Sequence, residues 1–170
     1  MLIDRLFARV FLPILLAALL GLNFKTAPVQ AASAAAIRAY DNIDVTSKDF
    51  VGKRLQAAEF SDAHLDRADF TRAQMQGVVF DNVTLTDADF KDADLTDGMA
   101  YRSDFSKANF ENTVLTDAIL LKSTFTGAIA KNADFSGAAL DKEQIIELCK
   151  TAAGVNPVTK ADTRESLGCR

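Results

Sequence analysis

Ala88-Asp89-Phe90-Lys91-Asp92 is followed at once by Ala93-Asp94-Leu95-Thr96-Asp97. Twice in ten residues the chain places a small residue, an acid, a large apolar residue and two polar ones. The same five-residue phrase runs from Lys48 to about Lys142. Of the nineteen fifth residues from Phe50 to Leu140, seventeen are Phe, Leu or Met, and the exceptions are Ala100 and Ala130. Two residues before each stands a small one, Ala in eleven of the nineteen cases, with Lys48 and Lys53 as the intruders.

A period of five fits neither the 3.6 of a helix nor the 2.0 of an extended strand. It fits a strand of about three residues whose outer members both point inward, followed by a turn. Four such sides close a square coil of twenty residues, and coils stack through ladder hydrogen bonds at about 4.8 Å. The second residue after each large one is Gly or Asn at Gly52, Gly77, Asn82, Asn112, Gly127, Asn132 and Gly137. A type II turn requires positive φ there. The expected fold is an all-β solenoid, a quadrilateral β-helix of about five coils roughly 24 Å tall.

The repeat resembles the pentapeptide-repeat family, described as Ala-(Asp/Asn)-Leu-x-x. Ala68-Asp69-Phe70, Ala88-Asp89-Phe90, Ala93-Asp94-Leu95, Ala108-Asn109-Phe110 and Ala133-Asp134-Phe135 match it outright. The resemblance covers residues 48–142 and implies a right-handed four-sided β-helix.

The amino terminus has another character. Arg5 and Arg9 precede an apolar run from Val10 to Leu22, then Ala31-Ala32-Ser33-Ala34. This is the layout of a secretory signal, and thirteen apolar residues fall short of the about 20 that span a bilayer. Residues 1–32 are read as a signal peptide and 33–47 as a lead-in. Within the lead-in Ala34–Tyr40 is considered for a short helix, and Ile43 and Val45 fall in the inward frame. Inward Lys48 and Lys53 predict an end that is loosely closed or covered, because charges are not buried unpaired.

After Leu140 the period stops. Asp141 with Gln144 reads as a capping box. A helix is predicted from Lys142 to about Ala153, with Ile145, Ile146, Leu148, Cys149 and Ala152 as its apolar stripe and Gly154 as its stop. Its simplest use is as a lid on Leu120, Phe125, Phe135 and Leu140, so residues 143–170 read as a C-terminal helical cap. Asp162 with Glu165 predicts a second helical piece through Leu167. The only cysteines, Cys149 and Cys169, lie twenty apart. In an exported chain an even count invites a disulfide. A free thiol at Cys149 and redox switching are the competing readings. The tail, with Asn156-Pro157-Val158-Thr159 and Thr163 to Cys169, resembles that of the thylakoid-lumen pentapeptide-repeat proteins of cyanobacteria and chloroplasts. That resemblance implies a cyanobacterial protein of the lumen, with the periplasm as runner-up.

Signals for catalysis are sparse. No nucleophile elbow, phosphate loop or metal-ligand cluster occurs. The single His, His64, stands outward, with Thr84, Asp104 and Thr124 as its stack neighbours, and is read as an ordinary surface residue. The acidic column Asp49, Asp69, Asp89, Asn109 is read as a solvated face in preference to a Ca²⁺ or Mg²⁺ ladder. No cofactor is expected, and no enzyme.

One pair of columns stands out. Glu59, Val79, Met99, Ile119 and Ala139 stack beside Ser61, Asp81, Tyr101, Leu121 and Asp141. Val79, Met99, Tyr101, Ile119 and Leu121 are therefore expected to share one exposed apolar face, of the kind that marks contacts. In the same place the inward large residue shrinks to Ala100, beside Gly98. Docking of a protein partner or of a second copy, and cover by the amino-terminal segment or the tail, are the two readings of that face. Residues 41–140 carry seventeen Asp and Glu against ten Lys and Arg, which disfavours nucleic acid as a ligand. The family resemblance also raises a DNA-mimic binder of topoisomerases, which an exported chain would not meet. The expectation is thus a non-catalytic exported interaction module, free of the membrane after signal cleavage and able to form a homo-oligomer, with a redox-responsive protein using Cys149 and Cys169 as the alternative.

Overall fold

Alternating large and small inward residues leave each short side of the chain unable to bury its own apolar atoms, so the sides must stack. The computed structural model describes residues 39–41 and 48–170, and there they do. Hydrogen bonds join positions twenty apart: Phe70 N–H donates to Asp89 O at 2.7 Å, and Asp89 N–H to Ala68 O at 2.9 Å. Four three-residue strands, β1 (Ala39–Asp41), β2 (Glu59–Ser61), β3 (Val79–Asp81) and β4 (Met99–Tyr101), form one parallel sheet in sequence order. Their register is a shift of one coil, Tyr40 on Phe60, Phe60 on Phe80, Phe80 on Ala100. The other sides pair through single bridges, such as His64 on Thr84, Asp69 on Asp89 and Gln74 on Asp94. The architecture is a four-sided β-solenoid.

The turns follow the expectation and extend it. Every fifth residue from Gly52 to Gly137 has positive φ, including Arg67, Arg72, Asp87, Lys107 and Lys122. For an L-residue this conformation costs about 1–2 kcal/mol. The ladder on either side holds it: Arg72 N–H donates to Lys91 O at 2.9 Å, and Ala73 N–H closes the turn onto Phe70 O at 2.9 Å. The outward acid of the repeat has a role that composition does not reveal. Asp69 Oδ1 accepts from Thr71 N–H, Asp89 Oδ1 from Lys91 N–H and Asp104 Oδ1 from Ser106 N–H, each at 2.9 Å. It satisfies the first amide of the corner.

Inside, Phe50, Phe70, Phe90 and Phe110 stack along one side with centroids 4.7, 4.9 and 5.1 Å apart and planes within 5°. The coil repeat sets that spacing. The helix considered for Ala34–Tyr40 gives way at Ala39 and Tyr40 to strand β1, because the parallel partner β2 lies one coil away. The signal-peptide reading of 1–32, and Ile43 and Val45, lie outside the described residues. Lys48 and Lys53 are not buried bare: Lys48 Nζ donates to Asp66 O at 2.9 Å, and Lys53 is exposed.

Beyond the last side the chain forms α1 (Lys142–Leu148) and α2 (Thr163–Ser166). The capping box at Asp141 and Gln144 is present, with Asp141 N–H donating to Gln144 Oε1 at 2.6 Å. The helix is shorter than predicted. The reason is that the chain after Leu148 turns to meet the solenoid: Thr151 Oγ1 accepts from Ala130 N–H at 3.0 Å, and Asn132 N–H donates to Ala153 O at 2.7 Å. Gly154 stops the segment at φ 82°, where a methyl would strike Asn132 Oδ1. Leu148, Ala152 and Leu167 belong to the same buried cluster as Phe135. Four polar residues meet the open edge of the last coil. Gln144 Nε2 donates to Leu120 O and Ser123 O, Thr151 Oγ1 to Ala128 O, Asn156 Nδ2 to Thr113 O and Asn132 O, and Phe135 N–H donates to Ser166 Oγ.

Candidate functional site

On three of the four sides the inward fifth residue is large and the outward one polar almost throughout, the exceptions being Ile129, 44% exposed beside inward Ala130, and Val114. The strand side begins the same way, with Glu59-Phe60-Ser61, whose middle residue alone is buried. Two coils on, at Gly98-Met99-Ala100-Tyr101, the sizes are exchanged. Gly98 and Ala100 now face the axis, while Met99 and Tyr101 face out at 43 and 44% exposure. In the next coil Ile119 is 43% exposed and Leu121 is half-buried. The register places Val79 beside Met99, Met99 beside Ile119, Asp81 beside Tyr101 and Ile119 beside Ala139. Val79, Met99, Tyr101, Ile119 and Leu121 thus stand together, and Val79 is half-buried.

The interior adapts to the exchange. Phe60 and Phe80 stack at 5.2 Å, and that row ends at Ala100. The missing ring reappears one side later as Phe105, edge-on to Phe80 at 6.1 Å and stacked under Phe125 at 5.1 Å. The substitution is incomplete: a cavity of about 10 Å³ remains among Val78, Phe80, Leu95, Met99, Phe105 and Leu120. Gly98 is drawn in so far that a methyl would lie 2.8 Å from Leu95 O.

The corner beside this face is built differently from the others. Val83 N–H donates to Ser103 Oγ and Ser103 N–H to Ser123 Oγ, both at 3.2 Å. Arg102 leans over the Tyr101 ring at 5.0 Å and pairs with Asp81 at 3.0 Å. The Asp81 hydrogen bond, then its charge, raises the guanidinium above its ordinary pKa. The tail does not cover the face. Asn156 binds at the Asn112–Asn132 corner, and Thr159 hydrogen-bonds Asp134 on another side.

Elsewhere the surface is mostly polar, although Ile129, Ile146, Val155 and Val158 are also exposed, and several of its charges are paired within the chain. Glu111 bridges Lys91 and Lys131 at 3.0 Å each, and those two hydrogen bonds hold its carboxyl below the usual range. Thr84 Oγ1 donates to Asp66 Oδ2 at 2.9 Å and lies 3.2 Å from His64 Nδ1. The hydroxyl proton is directed at Asp66, so His64 is not the base that would take it. Among the described residues no three His, Cys, Asp or Glu side chains are placed to hold a metal ion, and no helix is long and apolar enough to cross a membrane. Cys149 and Cys169 form a disulfide with Cα atoms 5.8 Å apart. The bridge edges an open groove of about 680 Å³ that Leu140, Ile145 and Ile146 line, with Lys142 and Arg170 at its rim.

Comparison with known proteins agrees with the repeat. The family described as Pentapeptide repeats matches in eight copies, over residues 54–97 and 102–141. Thirty-five residues are 57% identical to the thylakoid lumenal protein TL20.3 of Arabidopsis thaliana, covering 21% of this chain and 12% of that one. The chain thus spans about an eighth of that relative's length. A pentapeptide repeat protein from the Arabidopsis thaliana thylakoid lumen, of known crystal structure, is 35% identical over 71% of this chain and 91% of its own, with a TM-score of 0.31. A second solved structure, Rfr23 from the cyanobacterium Cyanothece 51142, is 21% identical over 55% of this chain and 60% of its own, with a TM-score of 0.46.

Proposed function

The chain belongs to the pentapeptide-repeat family, and from that premise we propose that it is a non-catalytic scaffold of the thylakoid lumen that docks a protein through the face of Val79, Met99, Tyr101, Ile119 and Leu121. One observation carries the reading: at Gly98–Tyr101 the chain puts its small residues inside and its large apolar ones outside. Folding alone favours the reverse, since each large side chain moved from core to solvent forfeits about 1.5–3 kcal/mol of burial. A surface that keeps such residues exposed is matched to something that covers them. A flat ladder suits protein contact better than turnover of a small molecule, which wants a concave site.

Export to the lumen rests on the signal-like residues 1–32 and on similarity to lumenal proteins. In this reading the stack has about five coils, and residues 143–170 are its cap, because Gln144, Thr151, Asn156 and Ser166 bind the backbone of the final coil. A photo-cross-linker placed at Tyr101 in the native compartment tests the docking. Specific adducts there, absent from the same probe at Thr124 and abolished by Ile119→Asp with Leu121→Asp, are expected. Equal labelling at both positions contradicts it. A second reading, a redox-responsive protein, has in its favour that the Cys149–Cys169 bridge borders an open groove. A reduction potential below about −300 mV marks the pair as a staple and removes that reading.

A further inference from the structure

We infer that the capped end of the solenoid carries a second docking site, a groove that takes an extended peptide as a further parallel strand beyond Ala138–Leu140. The groove does not depend on the Met99 face having an occupant. Unpaired backbone carries the assignment. One coil earlier, Ala118 O and Leu120 N–H bracket Ala139: Ala139 N–H donates to Ala118 O at 2.8 Å, and Leu120 N–H donates to Ala139 O at 2.9 Å. In the last coil the corresponding pair is Ala138 O and Leu140 N–H, and neither has a partner among the described residues. The cap treats the other three sides differently. Gln144 Nε2 donates to Ser123 O, Thr151 Oγ1 donates to Ala128 O and accepts from Ala130 N–H, and Ser166 Oγ accepts from Phe135 N–H. An unpaired strand edge is a template for another strand, and main-chain pairing to such an edge is a recurring way of holding a peptide.

The side chains beside the edge are also left uncovered. Ala118 and Leu120 are buried by the coil that follows them, whereas Ala138 and Leu140 are half-buried. Leu140 lies in the groove of about 680 Å³, walled by Ile145 and by Ile146, which is 53% exposed. A strand laid there continues the chain's own layering, with a small residue over Ala138 and a large apolar one over Leu140. The charged side chains that line the groove are both basic, Lys142 and Arg170, and neither is in an ion pair among the described residues. The acids of this end are engaged or placed elsewhere. Asp141 accepts from Lys122 N–H and caps α1, Glu147 pairs with Lys150, and Glu143 does not line the groove. At the other end of the edge, Asp117 Oδ1 fills the space where a methyl on Gly137 would lie. Charge along the edge thus runs from acid at Gly137 to base at Lys142. It suits a peptide that runs parallel to Ala138–Leu140 with its base first and its acid last.

The occupant is therefore a segment of the form base, small, any, large apolar, acid. The blocked peptide Gly-Lys-Ala-Thr-Leu-Asp-Gly, titrated into the ¹⁵N-labelled full chain, tests this. In the free protein the Leu140 amide should exchange with solvent at least about tenfold faster than that of Leu120. The peptide should shift the Leu140 resonance and slow its exchange, saturating between about 10 µM and 1 mM. N-methylation of the peptide's Thr removes the donor to Ala138 O and should weaken binding at least about tenfold. Exchanging its Lys and Asp should weaken it about fivefold. Ile146→Asp should abolish most of the binding, with circular dichroism showing the fold intact. A Leu140 amide as protected as that of Leu120 in the free, dilute protein overturns the inference, because the edge is then already filled. So does a Leu140 resonance unmoved at about 1 mM peptide, or an N-methylated peptide that binds equally well. Protection that appears when the protein alone is concentrated assigns the edge to a second copy and overturns the peptide. Each of these outcomes is read at Leu140, while the cross-linker at Tyr101 reads the Met99 face, so either site can fail without the other.

Discussion

β2 and β4 occupy the same side of the solenoid two coils apart, yet they solve opposite problems. In β2 a ring points inward at Phe60 between polar Glu59 and Ser61. In β4 a methyl points inward at Ala100, between Met99 and Tyr101 on the outside. Backbone register and pairing are the same. The ladder therefore fixes where side chains go without dictating which are large. The interior tolerates the loss at Ala100 only because Phe105 brings the ring back on the next side. A purely structural explanation of β4 accounts for the inward residues and leaves Met99 and Tyr101 unexplained.

Perturbations of the two strands should separate in a definite order. Phe80→Ala, on the β2 pattern, removes a fully buried ring stacked on Phe60. It should cost about 3–5 kcal/mol in urea unfolding, whereas the chain lives with Ala100 one coil on. At the upper end of the same side, Leu140 lies in the groove beside the disulfide. Replacing Cys149 and Cys169 by Ser should lower stability by about 3 kcal/mol for a loop of this length while leaving the Met99 face in place.

A sharper probe is Ala100→Phe, which restores the β2 pattern. The cavity of about 10 Å³ cannot take a ring, so an overpacking loss of about 1–3 kcal/mol is expected. Adding Phe105→Leu should recover more than half of that loss, since the second ring then returns to the row of Phe60 and Phe80. Simple additivity of the two changes would show that the rings do not trade places.

Acid distinguishes this face from its neighbour. Burial pushes the Asp134 carboxyl up, but hydrogen bonds from the Ser136 and Thr159 hydroxyls, Ser136 N–H and Thr116 outweigh it, and its pKa is lowered. A lowered folded pKa contributes stability above the unfolded value of about 3.9, and that contribution fades as pH falls through the folded value. Asp134→Asn should therefore flatten the acid limb of the melting curve below about pH 4. The smallest effect belongs to the exposed face itself. Ile119→Asp should shift monomer stability by no more than about 0.5 kcal/mol, although it removes binding.

The sequence displayed the coil because its signal is periodic. Large residues at every fifth position point inward, and Gly52, Gly77, Asn82 and Asn112 mark positive φ through residues that adopt it readily. At Arg67 and Lys107 the same conformation is imposed by the ladder against the residue's own preference, so no local signal exists. The apolar face was legible through the twenty-residue register, including Val79 beside Met99. The transfer of a ring from the Phe80 row to Phe105 was not, because it is visible only when coils are compared as volumes. Gln144, Thr151, Asn156 and Ser166 were also hidden as edge partners. Each acts once, at a distance in sequence of 21 to 43 residues for the bonds they make to Ser123, Ala128, Thr113 and Phe135, and no period announces them. The predicted helix overran to Ala153 for a related reason, since local pattern cannot see that Asn132 takes the Ala153 carbonyl.

The two methionines of the solenoid offer the most direct test, because Met75 is fully buried on one side and Met99 is 43% exposed on another. Their ¹³C-labelled methyl groups can be followed by NMR with a soluble paramagnetic chelate in the solvent. In dilute protein the Met99 methyl should relax strongly while that of Met75 is untouched. A protected Met99 in the dilute monomer, or an exposed Met75, would contradict the inside-out strand from which the function was read.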